Sequence, residues 1–244
     1  MFSMNAYAQE ASCAAGRPAL WWQALTLPAH GGRLVLEDRP PPHFDAALLA
    51  GAALLYAVYG AAMGLYRGYY PAAVSGVKLP LLFLLTLAVS LPLFYALNAL
   101  AGPRLTPRQW ARLLLLASSA QAVALASLAP IALLFTAAAE THGPAAQANY
   151  LFLCLLHLAA LAACGLVSVG MAALLLRAVA AAQGVRLHGA LLAFLAAVYA
   201  AVTAQAAWAL RPWVGSHAVP YTALRPREGS FPEAVLALIT SMFG

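Results

Sequence analysis

Five uninterrupted apolar runs, at about 46–66, 79–101, 113–139, 150–176 and 189–210, constrain this chain more than any other feature. A hydrocarbon layer about 30 Å thick takes about 20 apolar residues per helical crossing. Inside that layer no water satisfies a backbone N–H or C=O, so a segment that spans it must close its hydrogen bonds within itself as a helix. The runs therefore predict an all-α fold, a polytopic membrane protein with a bundle of five transmembrane helices. The remaining sequence agrees: the chain is 64% hydrophobic and 8% charged, where soluble domains carry about 25% charge. The lipid bilayer is the first expected partner.

Residues 1–45 form a polar N-terminal arm, read as partly extended because of Pro40-Pro41-Pro42 and marked by Trp21-Trp22. They hold no apolar stretch long enough for the core of a signal peptide, so no cleaved leader is expected. Asp45 suits an N-cap for the first span. Lys78 stands at the mouth of the second, with Pro80 in its opening turn. Pro92 and Pro130 fall inside spans and predict kinks. Residues 211–244 form an external loop followed by an amphipathic helix. There Ser230-Phe231-Pro232-Glu233 fits a capping box and Phe231, Val235, Leu238, Ile239 and Met242 share a face, which predicts an interfacial helix too short to span.

Positive charge orients the bundle. Arg104, Arg108, Arg112, Arg177 and Arg186 follow spans two and four, whereas Arg67 and Lys78 are the basic residues of the other two connections. By the positive-inside rule the N-terminus is expected to be cytoplasmic and the C-terminus external. The net charge of +6 is spread singly at span ends, so it builds no nucleic-acid footprint.

Polar residues inside the spans are few and therefore informative. On the fourth span Cys154, His157, Cys164 and Ser168 are separated by 3, 10 and 14 residues from the first, which at about 100° per residue places them in one sector of the helix. With Gln121 on the third span and Gln205 on the fifth, His157 and Ser168 form a candidate polar seam, to which Ser118, Ser119, Thr86, Ser90 and Asn98 can contribute. Amides and imidazoles avoid lipid, so such a seam should face inward. No Asp, Glu, Lys or Arg is expected in any span interior. Gly60, Gly64 and Gly68 give overlapping GxxxG spacings, read as helix packing within the chain, and Ala193, Ala197 and Ala201 repeat the small-residue spacing. Trp208, Arg211, Pro212 and Trp213 form an exit motif in which aromatic rings and a cation sit at headgroup depth. The sequence has no nucleophile elbow, P-loop, zinc-protease or dinucleotide fingerprint. No catalytic residue, metal site or cofactor is assigned: the His157 stripe lacks a second set of ligands.

The segments Ser75-Gly76-Val77-Lys78-Leu79-Pro80-Leu81-Leu82, Ser90-Leu91-Pro92 and Trp208-Ala209-Leu210-Arg211-Pro212-Trp213-Val214-Gly215 resemble the KxPLL, SLP and WxLRPxxG segments of a family of bacterial multi-pass inner-membrane proteins with no assigned activity. The resemblance extends from the first span to the C-terminal helix. It departs at Trp213, where that family leads one to expect phenylalanine. The layout is also similar to the Yip-domain family, which has five spans, a cytoplasmic arm and a proline in the third span; that likeness implies a trafficking adaptor or scaffold rather than an enzyme. The leading functional expectation is a non-catalytic assembly, scaffold or interaction subunit with a membrane or soluble protein partner. Its alternatives are a channel or carrier for a neutral or weakly polar solute, and a redox or metal-binding subunit centred on His157.

Overall fold

The computed structural model describes residues 23–37, 43–101, 103–211, 213–215, 220–224 and, near the C-terminus, 232–233, 235–237 and 240. Among them the order is α1 (Pro28–Leu36), α2 (Phe44–Gly64), a 3-10 turn (Leu65–Arg67), α3 (Tyr69–Ala101), α4 (Pro107–Ala138), α5 (Ala146–Ala182) and α6 (Gly189–Ala209). Helices α2 to α6 are each long and apolar enough to cross a membrane, so the protein is an all-α, multi-pass bundle. Trp21, Trp22 and Pro40-Pro41-Pro42 of the arm, the Ser230 capping box and most of the C-terminal amphipathic face lie outside the described residues.

Helix α4 is the hub. It packs on α1, α2, α3 and α5, and from Arg112 to Ala122 every residue is buried. A helix that is apolar on all sides loses nothing by being covered on all sides. Its start is fixed by chemistry legible in the sequence, Thr106-Pro107-Arg108-Gln109. The Thr106 hydroxyl accepts from the Gln109 N–H, the Gln109 amide accepts from the Thr106 N–H, and Pro107 supplies the preset first turn.

The second crossing begins ten residues earlier than the apolar run suggests, at Tyr69 rather than Leu79. The turn before it is made by Gly68 with φ 125°, a conformation that side chains resist. Gly68 thus serves the turn and not helix packing, since nothing lies within 4 Å of a Cβ there. As a result Pro80 is interior to α3, and Lys78 is a buried residue within the helix rather than at its mouth, 5% exposed. That places a lysine where none was expected. The helix has 33 residues, about 50 Å at 1.5 Å each, which is well beyond the hydrocarbon thickness. Part of it therefore extends past the apolar layer.

Gly60 and Gly64 join α2 to α3. A methyl group at Gly60 would collide with the backbone of Ser75, and one at Gly64 with the backbone of Pro71 and Ala72. The pair acts as a small-residue seam that lets two backbones touch. Beyond it the ends of the crossings are tied together. Ser75 Oγ donates to the Trp213 carbonyl at 2.7 Å, and the Tyr66 hydroxyl donates to the carbonyls of Glu140 at 3.3 Å and Ala146 at 3.4 Å.

At the opposite end the arm is helical where it is described, because α1 docks on α4 and α5. Gly31 and Gly32 permit this: added methyl groups would meet the Leu175 and Ala178 side chains at 2.8 and 2.7 Å. Arg112 then clamps the assembly. Its Nε and Nη2 donate to the two oxygens of Asp45 at 2.8 and 3.1 Å, and Nη1 donates to the carbonyls of Leu34 and Glu37, each at 2.7 Å. Asp45 is therefore not the N-cap of α2. His43 occupies that position with no side-chain cap, and Asp45 sits in the first turn holding Arg112.

Gly60→Leu or Gly64→Leu should lower stability by at least the about 1–3 kcal/mol of an overpacked core, whereas Gly51→Leu, with open space around it, should not; thermal unfolding in detergent measures the difference. Arg112→Leu removes the clamp and should let α1 fray, so that trypsin cuts after Arg33, whose side chain is exposed but whose backbone the docked helix protects. The cost should lie near the lower end of the about 3–5 kcal/mol of a broken buried pair, since Asp45 is half open to solvent. Arg112→Lys should rescue only in part, because an ammonium cannot serve a carboxylate and two carbonyls in fixed planar geometry.

Candidate functional site

Helix α6 packs chiefly on α3 and only grazes α5. Between α5 and α6 runs a cleft in two parts that share Val169 and Tyr199, the smaller floored by α4 and the larger by α3 with Tyr56 and Gln121. The smaller part, about 240 Å³, lies toward the Arg112 end among Phe94, Trp110, Ser118, Ser168, Arg177 and Leu195. The larger, about 600 Å³, lies deeper in the bundle among Tyr56, Phe83, Thr86, Gln121, Gly165 and Thr203.

Tyr199 divides the two parts and is anchored by hydroxyl chemistry. Its OH meets Ser118 Oγ at 3.2 Å, with Ser168 as a further hydroxyl neighbour. The Ser118 carbonyl accepts from Tyr56 OH at 3.1 Å, and the Tyr56 ring stacks on Phe83 with centroids 5.1 Å apart. Three helices are thereby linked through one serine. Ser119 turns back to its own helix and donates to the Leu115 carbonyl at 2.7 Å.

The seam residues do not form one path. Gln121 is buried and lines the larger chamber; Ser168 is buried and lines the smaller. His157 is buried away from both, its Nδ1 3.1 Å from the Tyr59 hydroxyl and its ring edge-on to that ring. Its Nε2 has no hydrogen-bond partner among the described residues. Gln205 is exposed on α6 and joins none of them. The reason is its phase on the helix: it lies four residues after Ala201, on the face that points away from the bundle. Of the supporting residues, Thr86 and Ser90 are buried with hydroxyls that find no partner among the described residues, and the side chain of Asn98 lies outside those described. Cys164 is buried beside His157's face of α5 and Cys154 is half-buried; both are free thiols. Among the described residues no three His, Cys, Asp or Glu side chains come together as a metal site.

The exit motif is assembled at the end of α6. The Arg211 guanidinium lies 3.7 Å above the Trp208 ring, and Trp213 Nε1 donates to the Ala207 carbonyl at 3.0 Å, satisfying an acceptor in the last turn. Gly215, at φ 79°, turns the chain against the Tyr221 ring. Pro212 lies outside the described residues. Through Ser75 and Trp213 this motif touches the segment that carries Lys78 and Pro80, so two stretches far apart in the sequence form one structural unit. The tyrosines were the residues missed by reading the sequence. Tyr56 and Tyr199 belong to no motif in the sequence, although a buried phenol nearly always needs a partner and so points to one.

No family model, curated protein or solved structure matches the chain.

The His157 and Tyr59 pair gives a test of structural against chemical roles. Tyr59→Phe should strand Nδ1 and cost about 1–3 kcal/mol, while adding His157→Phe should recover much of that loss, because removing both polar partners is close to neutral. Thermal unfolding of the two single variants and the double variant measures the coupling.

Proposed function

We propose that the protein is a non-catalytic integral membrane subunit that binds a partner protein within the bilayer through the outer face of α6. Gln205 carries this reading. It is exposed on the last turns of a transmembrane helix, in series with Ala197 and Ala201, both exposed, whereas Ala193 turns into the cleft. A primary amide facing hydrocarbon is unfavourable, and small residues at spacing four allow a second helix to approach closely enough to pair with it. Helix α6 is also the least covered crossing: 11% of its most apolar window is buried, against 39% for α2.

The same reading places the arm on the cytoplasmic side of a bacterial inner membrane. Support comes from the loops that carry Arg104 and Arg186, which meet at one end of the bundle. There Gln183 brackets Arg104, accepting from its N–H at 2.9 Å and donating to its carbonyl at 3.1 Å. Arg33, Arg108, Arg112 and Arg177 belong to that end as well, which gives it the basic character the positive-inside rule associates with the cytoplasm. A cytoplasmic α1, held by Arg112, would offer a second contact surface for a soluble protein.

A photo-crosslinking residue placed at 197 or 201 in the full chain, in its native membrane, should yield one discrete protein adduct. The same residue at Leu134, exposed on α4, should not. Gln205→Leu should weaken the adduct several-fold. Recovery of lipid adducts alone from all three positions would overturn the reading.

A further inference from the structure

The larger chamber of the cleft has a chemistry of its own. Its wall holds hydrocarbon side chains such as Leu79, Leu82, Leu158 and Leu161, with no Asp, Glu, Lys, Arg or His. Two of its polar side chains are nine-tenths or more buried, Thr86 and Gln121, and the Thr86 hydroxyl forms no hydrogen bond with the described residues. The neighbouring hydroxyls of Tyr56, Tyr199 and Thr203 are already engaged with Ser118 and with the Tyr199 carbonyl. Thr86 and Gln121 therefore offer donors and acceptors to whatever enters. Opposite Gln121 the wall is a glycine: a methyl on Gly165 would lie 3.9 Å from Gln121 Nε2, an ordinary contact. A larger residue at 165 would fill the chamber, and glycine keeps it open.

We propose that this chamber binds a neutral lipid, one with a hydroxyl or carbonyl head seated between Thr86 and Gln121 and a hydrocarbon body lying along α5 and α6. The absence of charge in the lining selects a neutral head, since an ion there would lie in a medium that can neither hydrate nor pair it. The volume, about 600 Å³, falls in the range of about 300–1,000 Å³ that holds small ligands. Entry is from the bilayer. Leu166, 73% exposed, lines the chamber and also the lipid-facing surface, so a lipid can slip between α5 and α6 without crossing water. This site is separate from the outer face of α6, and either can exist without the other.

The test uses the full chain in phosphatidylcholine vesicles with a diazirine-bearing fatty alcohol, and the matching fatty acid at neutral pH as the anionic arm. Peptide mapping should place the alcohol on segments 158–169 and 199–207. Gly165→Leu should reduce that labelling to background, and Gln121→Leu should reduce it several-fold, with labelling of the exposed face around Leu134 unchanged. Leu166→Trp, at the opening, is the second variant should Gly165→Leu lower the unfolding midpoint. Equal labelling by the fatty acid would overturn the neutral class, and labelling spread evenly over all lipid-facing helices, insensitive to Gly165 and Leu166, would overturn the site.

Discussion

The structure depends first on one buried guanidinium. Arg112 is 4% exposed and stands on the hub helix, where an unpaired cation would be strongly unfavourable. Four of its five N–H groups are directed at Asp45, Leu34 and Glu37. The bonds to Leu34 and Glu37 take up carbonyls at the C-terminal end of α1, the end of a helix that has no internal donors left and carries partial negative charge. Asp45 lies in the first turn of α2, where negative charge is favoured. One side chain thus joins the arm, the first crossing and the third crossing, using the electrostatics of two helix termini. A single positive charge explains why α1 stays on the bundle instead of trailing from it.

With α2 and α4 fixed relative to each other, the rest of the packing follows from size. Glycines at 60 and 64 bring α3 against α2 at backbone distance, and α4 is then enclosed on every side over Arg112–Ala122. Enclosure gives the serines of α4 value as connectors, because in a dry interior a hydroxyl must find a partner or go without. Ser118 finds two, Tyr56 on α2 and Tyr199 on α6. That second contact is one of few that hold α6 toward α4. The cleft beside it exists because α6 is attached by α3 and Tyr199 and has little contact with α5.

How much of this was legible depended on contrast. The five crossings stood out because charged residues punctuate apolar runs, and Gly60 with Gly64 stood out because glycine is rare inside a helix without a packing reason. The polar stripe of His157, Cys164 and Ser168 marked the buried side of α5, but the face of α6 was not legible. That helix is apolar over most of its circumference, so periodicity offers no inward direction, and alanine every fourth residue occurs by composition alone. Gln205 was read as inward on the rule that amides avoid lipid, and that rule assumes that the chain alone completes its own surroundings. The early start of α3 was hidden by Ser75 and Lys78, polar residues that mark a loop in soluble proteins but are compatible with a helix extending past the hydrocarbon. The α1 helix was obscured by Pro28 and two glycines in a short polar segment, where tertiary docking outweighs weak local propensity.

Buried polar groups are partnered at both ends of the bundle, through Arg112 at one and through Tyr66 and Ser75 at the other. Among the described residues the unmade bonds are scattered, at His30, Arg67, Ser90, Trp110 and His157 as well as at Thr86. Three polar side chains nevertheless stand on the two sides of α6. Thr86 and Gln121 look into the chamber beneath it, and Gln205 looks out from its far face. Hydrocarbon offers no hydrogen bonds, so such groups persist in a membrane helix when something outside the chain completes them. On the proposed reading, the inward pair meets a small molecule that fits the cavity and the outward amide meets another helix, so that the two sides of α6, the least buried crossing, serve two different kinds of partner.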